Sequence, residues 1–218
     1  MKRSILIFLS CIALPVYAAN FSAYVPKGWK IIKSVEGGYG DNQADAVLVL
    51  QKQDKANIIP NDDMGLPELD TNPRMLKVLF KQAGGYKTAV ENTTLIPPES
   101  DKDNGCLDDP FSDVSIDKGR LKLRFERFYS CGNWWKDYSN YLFRYQNDRF
   151  LLIGYSYYEY HRASGEIEEY SDNYLTGKRK RTTGGNVFGS SKDRPKVKWE
   201  RLKAKPYYLD EPYHDSIE

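Results

Sequence analysis

Apolar and polar positions alternate most regularly at residues 121–126, where Leu121, Leu123 and Phe125 are separated by Lys122, Arg124 and Glu126. A two-residue period sends the two sets to opposite sides of a strand, so this segment predicts a strand with one face buried and one in water. Residues 46–50 (AVLVL) are apolar throughout, the pattern of a strand covered on both faces. Residues 29–35 read as a further strand. Turn residues punctuate the later runs: Ala83-Gly84-Gly85 between 75–81 and 86–93, Asp117-Lys118-Gly119-Arg120 between 114–116 and 121–125, and Gln146-Asn147-Asp148-Arg149 between 138–145 and 150–158. Each is a hairpin signal, and a last hairpin is expected from 166–170 and 174–180. Residues 54–73, with Pro60, Pro67 and Pro73, and residues 97–110 read as long polar loops. Residues 72–82 lean to strand because of Pro73 and their Val-Leu-Phe content, and no segment of ten or more residues has a convincing helical period. The expected fold is mainly β, a single antiparallel domain over residues 19–181 built as a sandwich or as propeller-like sheets. Residues 182–195 are rich in Gly, Ser, Lys and Asp and read as flexible. Residues 197–208 add one late strand, and the acidic residues 209–218 read as a loose tail.

The start of the chain has a different pattern. Met1-Lys2-Arg3 is basic, residues 4–15 are predominantly apolar, and Val16-Tyr17-Ala18 supplies small residues at −3 and −1 of a cut after Ala18. These are the three parts of a secretory signal peptide, which predicts a periplasmic protein. The apolar part is too short for a membrane span, and no later run approaches the roughly 20 residues a span needs, so no transmembrane anchor is expected. Cys11 falls in the leader, which leaves Cys106 and Cys131. In an oxidising compartment an even pair most simply forms one disulfide. The pair lacks CxxC spacing, so the bond is expected to be a structural staple rather than a redox centre.

Removing Lys2 and Arg3 takes the 32 basic residues to 30, level with the 30 acidic ones. A neutral chain argues against a nucleic-acid binder. The 17 Tyr, 9 Phe and 4 Trp favour strands and, beyond what a core absorbs, protein interfaces. The candidate binding residues are Trp134, Trp135, Tyr155, Tyr157, Tyr158 and Tyr160. On one strand Tyr155 and Tyr157 share a face and Tyr158 and Tyr160 the other, so one pair is expected to join the core. Catalytic signatures are few. His161 and His214 have neither HExxH nor GxSxG around them and read as surface residues. Glu166 and Glu168 would stand about 7 Å apart on one strand face, a spacing that could serve glycoside chemistry or only a solvated acidic face. Lys178-Arg179-Lys180-Arg181 could dock an acidic partner or lipid headgroups, or simply be a solvated strand end.

Residues 36–50 (EGGYGDNQADAVLVL) resemble one unit of the FG-GAP type, in which an acidic loop of GDxNxDGxxD form leads into an apolar strand. The resemblance implies a calcium-binding loop, because alternate carboxylates can converge on one cation. Here Gly37, Tyr39 and Asn42 replace the expected acid, Asn and Gly, so Asp41 and Asp45 are the remaining candidate ligands. Residues 29–177 also resemble uncharacterised exported proteins of Gram-negative bacteria in Gly28-Trp29, residues 143–147 (FRYQN), Leu152-Ile153-Gly154-Tyr155 and residues 164–178 (SGEIEEYSDNYLTGK). That resemblance implies an exported β-rich domain. The expected function is a non-enzymatic periplasmic binding protein without a cofactor, recognising a secreted or periplasmic protein as an inhibitor or toxin-immunity protein does. The alternatives are a cell-wall glycan enzyme using Glu166 and Glu168, and a structural module with a vestigial calcium loop.

Overall fold

The apolar run at 46–50 lies inside a four-stranded antiparallel sheet, ordered β1 (Trp29–Gly38), β2 (Ala44–Lys52), β5 (Arg74–Gln82) and β6 (Gly85–Asn92). The computed structural model describes residues 20–38, 44–189, 194–203 and 205–213. Successive side chains of β2 enter different cores. Val47 and Val49 face the main one, while Ala46, Leu48 and Leu50 join Phe21, Met75 and Leu79 in a second cluster against which Tyr24 and Val25 pack. Burial on both faces therefore comes from a partner sheet on one side and the start of the chain on the other. The proline-containing loop at 54–73 is not wholly irregular: β3 (Ile58–Pro60) and β4 (Glu68–Asp70) pair within it.

A seven-stranded meander faces this sheet. Its strands are β7 (Phe111–Asp117), β8 (Arg120–Phe128), β9 (Trp135–Gln146), β10 (Arg149–His161), β11 (Glu166–Asn173), β12 (Lys178–Asn186) and β13 (Lys196–Arg201), adjacent in chain order. The turns explain two of the hairpins. Lys118 and Gly119 have φ of 50° and 72°, and Asn147 and Asp148 have 50° and 61°. Two consecutive positive φ values are what a two-residue type I′ connection needs to match strand twist. Leu121, Leu123, Phe125, Tyr141, Phe143, Phe150, Leu152 and Tyr155 supply the meander's side of the main core, against Val47, Val49, Leu76, Val78 and Val90. The two sheets thus pack as a sandwich, and no closed barrel forms among the described residues. On β11 and β12 the same inner face carries Tyr170, Asp172, Arg179 and Arg181 in place of aliphatic side chains, with Arg179 pairing Asp172 at 2.6 Å. Among the described residues no helix is long and apolar enough to cross a membrane.

The expectation of a flexible segment over 182–195 and a loose tail from 209 is corrected where the residues are described, at 182–186 and 209–213. Thr182 to Asn186 continue β12, and the late strand is β13. Tyr207 and Leu209 are buried to 1% and 0% exposure. Their segment pairs with β10: Leu152 N–H donates to the Tyr207 carbonyl and Leu209 N–H to that of Phe150, both at 2.9 Å. The Asn92 amide donates to the carbonyls of Leu209 and Glu211 at 2.8 and 2.9 Å. The late strand expected over 197–208 ends at Arg201, and Leu209 of the expected tail fills the sandwich together with Tyr207.

Cys106 and Cys131 form the expected disulfide, 25 residues apart. Replacing both with Ser is expected to reduce the unfolding free energy by about 3 kcal/mol, the loop-closure entropy of a ring this size. Urea denaturation of the double variant beside the oxidised wild type checks this.

Candidate functional site

Strand β8 ends at Phe128, and β9 does not begin until Trp135. The six residues between them are fixed at several points. Cys131 is bonded to Cys106, and the Ser130 N–H and hydroxyl both donate to the Cys106 carbonyl, at 2.8 and 3.0 Å. Arg162, one residue past β10, reaches back from the other side. Its backbone N–H donates to Trp134 O at 2.8 Å, and its guanidinium donates to the carbonyls of Tyr129, at 3.2 Å, and Asn133. The Asn133 side chain accepts from Trp135 N–H at 2.8 Å. The result is a constrained loop that leaves Trp134 59% exposed and Trp135 36% exposed.

From this loop a ladder of rings and cations runs onto the sheet. The His161 ring lies 6.4 Å from Trp134, nearly parallel to it, and 5.0 Å from Trp135, edge-on. Arg162 lies over both Trp134 and Phe128, at 5.6 and 4.8 Å. Lys136 lies over Phe128 and Tyr138, at 5.0 and 5.4 Å, and Arg124 covers Tyr138 at 5.3 Å. Tyr138 faces Tyr158 in the β9–β10 register, and Tyr158 touches Tyr160 at 6.2 Å. Each cation over a ring is worth about 0.5–1 kcal/mol at exposed positions, so the ladder holds its own geometry without a ligand. The ion pair to Glu126, at 2.5 Å, raises the Lys136 pKa, against the opposing effect of burial. Burial, then the neighbouring Tyr160 and Glu169, raises the Tyr158 phenol. Beside the loop a cavity of about 590 Å³ is lined by Pro97, Pro98, Leu107, Pro110, Arg127 and Tyr129, among others. No protein-family model, curated protein or solved structure matches the chain.

The ladder gathers four of the six aromatic residues that the sequence proposed: Trp134, Trp135, Tyr158 and Tyr160. The other two lie on the inner face. Tyr155 is 2% exposed and packs on Tyr141 and Tyr170, with centroids at 4.9 and 5.8 Å, so it belongs to the core and is withdrawn as a binding residue. Tyr157 is half-buried, stacks on Tyr170 at 5.1 Å and donates to Glu159 at 2.7 Å, and burial drives its pKa upward. Glu166 and Glu168 both stand on β11. Each is engaged elsewhere: Glu166 accepts from the Ser164 hydroxyl at 3.2 Å, and Glu168 is held by Arg181. Asp41, the side chain of Asp45, His214 and the leader lie outside the described residues. Among the described residues no three His, Cys, Asp or Glu side chains group as metal ligands.

Sequence reading missed Phe128 and Arg162 and placed His161 only at the surface. Phe128 did leave a signal. It continues the wet phase of Lys122, Arg124 and Glu126, so an aromatic ring stands where the alternation calls for a polar residue.

Proposed function

We propose that this is an exported, non-enzymatic binding protein that recognises another secreted or periplasmic protein through the aromatic end of the seven-stranded sheet. The observation that carries the reading is the exposed Trp134, held in place by Arg162, His161 and the Cys106–Cys131 loop. Binding energy in protein interfaces concentrates in Trp, Tyr and Arg, and side chains already ordered before association lose less entropy on binding. The adjoining cavity, lined by Pro97, Pro98 and Tyr129 among others, offers a socket for one partner side chain. The disulfide fits an oxidising compartment, as does the basic, apolar and small-residue order of the first eighteen residues. An inhibitor or toxin-immunity protein fits this set, a rigid recognition surface rich in Trp, Tyr and Arg.

The test is affinity capture from periplasm and culture supernatant of the source organism with mature wild-type protein and with Trp134→Ala, followed by calorimetry on the purified partner. Trp134→Ala is expected to weaken binding by about 30-fold, corresponding to a loss of about 2 kcal/mol, while the lost Arg162 contact lowers the melting temperature by no more than about 4 °C. Equal affinity of both forms for the same partner would move the interface elsewhere. The absence of any stoichiometric protein would remove the reading.

A further inference from the structure

The basic run at 178–181 is divided by the pleat of β12. Arg179 and Arg181 point inward, where they pair with Asp172 and Glu168 and lie over the Tyr170 ring. Lys178 and Lys180 point outward, opposite Arg201 and Trp199 of β13. Among the described residues the inner-face arginines Arg127, Arg179 and Arg181 all form ion pairs. On the outer face Lys122, Arg124, Arg144, Lys178, Lys180 and Arg201 form none among the described residues, while Glu126 is taken by Lys136 and Asp117 by Arg120, and Glu169, opposite Tyr158, is the acid that stands nearest Lys180 on this face. A nearly neutral chain therefore carries an excess of unpaired cations on one face of one sheet.

These cations border a trough. The cross-strand registers place Arg124, Asn140, Ser156, Ser171, Lys180 and Trp199 in one row across β8 to β13. The neighbouring row runs Lys122, Leu142, Gly154, Asn173, Lys178 and Arg201. Over β9 to β11 the floor consists mainly of short polar or absent side chains, and it forms a depression of about 640 Å³ that also includes Arg120 with its partner Asp117, Arg144 and Leu175. Cations flank it on β8 and β9 at one side and on β12 and β13 at the other. The separation from β8 to β12 is four strand spacings, about 19 Å. Trp199, 64% exposed, stands at the far end of the first row.

We propose that this outer face binds an acidic polysaccharide laid across the strands. Its carboxylates or sulfates would meet the two cationic borders, its hydroxyls Asn140, Ser156 and Ser171, and a terminal sugar ring the Trp199 face. The concave floor decides against a bilayer. A flat anionic lipid surface would touch the rims and leave the polar groups of the floor uncovered, whereas a single glycan chain fills the trough and uses hydroxyl hydrogen bonding.

The proposal is tested by calorimetry of the full mature protein with polygalacturonate, poly-L-glutamate of matched charge, neutral dextran, and vesicles of anionic phospholipid. Polygalacturonate is expected to bind, weakening as salt rises because both borders are solvent-exposed. Poly-L-glutamate should bind at least about tenfold more weakly, and dextran and vesicles not measurably. The pair Lys122→Ser with Lys180→Ser removes one cation from each border and should lower affinity roughly tenfold. Ser171→Leu fills the floor without changing charge and should lower it by a similar factor. Trp134→Ala lies outside the trough and should leave glycan binding unchanged even where it abolishes capture of a protein. Failure to bind polygalacturonate overturns the proposal. So does equal binding of poly-L-glutamate or of vesicles, or insensitivity to Ser171→Leu in a variant with wild-type melting behaviour.

Discussion

Arg74→Met is expected to lower the unfolding free energy by about 3 kcal/mol, the lower end of what breaking a buried ion pair costs. Arg74 is 1% exposed on β5. Its guanidinium forms a two-pronged pair with Asp109, Nη1 to Oδ1 at 2.6 Å and Nη2 to Oδ2 at 2.7 Å. Nε and Nη2 also donate to the Gln51 side-chain oxygen, both at 3.3 Å, and Glu99 stands 3.6 Å away. Gln51 is itself 1% exposed and would be left with an unmatched acceptor. The Asp109 side chain is 39% exposed and can regain water, which keeps the expected loss near the lower end. Met fills similar volume, so the effect reads the charge network rather than a cavity. Urea denaturation measures it, and a loss under about 1 kcal/mol would mean that Arg74 is held by packing alone. A functional consequence accompanies the structural one. Asp109 is three residues from Cys106, whose disulfide anchors the loop that presents Trp134, so the variant should also loosen that loop.

The strands were largely legible because their signals are local. The alternation at Leu121, Leu123 and Phe125, the two-residue turns at Lys118-Gly119 and Asn147-Asp148, and the unbroken run at 46–50 each report a backbone state that neighbours in sequence decide. The disulfide followed from an even pair of cysteines behind an export leader. The division into a short and a long sheet did not, because pairing of β2 with β5 across the intervening β3–β4 hairpin depends on long-range packing. The end of the chain is harder to read for the same reason: the late strand expected over 197–208 stops at Arg201, and Leu209, among charges in sequence, docks beside Tyr207 because both pair with β10. At the candidate site, residue type found Trp134, Trp135, Tyr158 and Tyr160. It could not separate Tyr155 from Tyr158, since which phase of β10 meets the opposing sheet is a tertiary fact. Arg162 was invisible because its role is to donate to carbonyls about thirty residues earlier in the chain.

Tyr207→Ala is expected to cost more than any other single change considered, about 3–5 kcal/mol, as for the deletion of a fully buried ring. The side chain fills the space beside Phe143, with centroids 6.2 Å apart, and its hydroxyl donates to the Glu211 carbonyl at 3.1 Å. Its own carbonyl accepts from Leu152, so collapse of the ring site would also strain the pairing of the tail with β10. Tyr207→Phe separates the two contributions: it keeps the ring and removes the hydroxyl's hydrogen bonds, to the Glu211 carbonyl and with the Asn92 side chain, at about 1 kcal/mol each. It also carries a pH signature. Burial pushes the Tyr207 phenol from an ordinary value of 10.0 to about 12. A folded-state pKa above the unfolded one means that the unfolded chain releases this proton first as pH rises. The contribution of Tyr207 is therefore complete below about pH 10 and is lost as pH climbs through about 12. Wild-type stability should fall in that window, and Tyr207→Phe should fall less steeply. Equal slopes would mean that the phenol is already hydrated, and the C-terminal segment would then be less firmly docked than its backbone pairing with β10 requires.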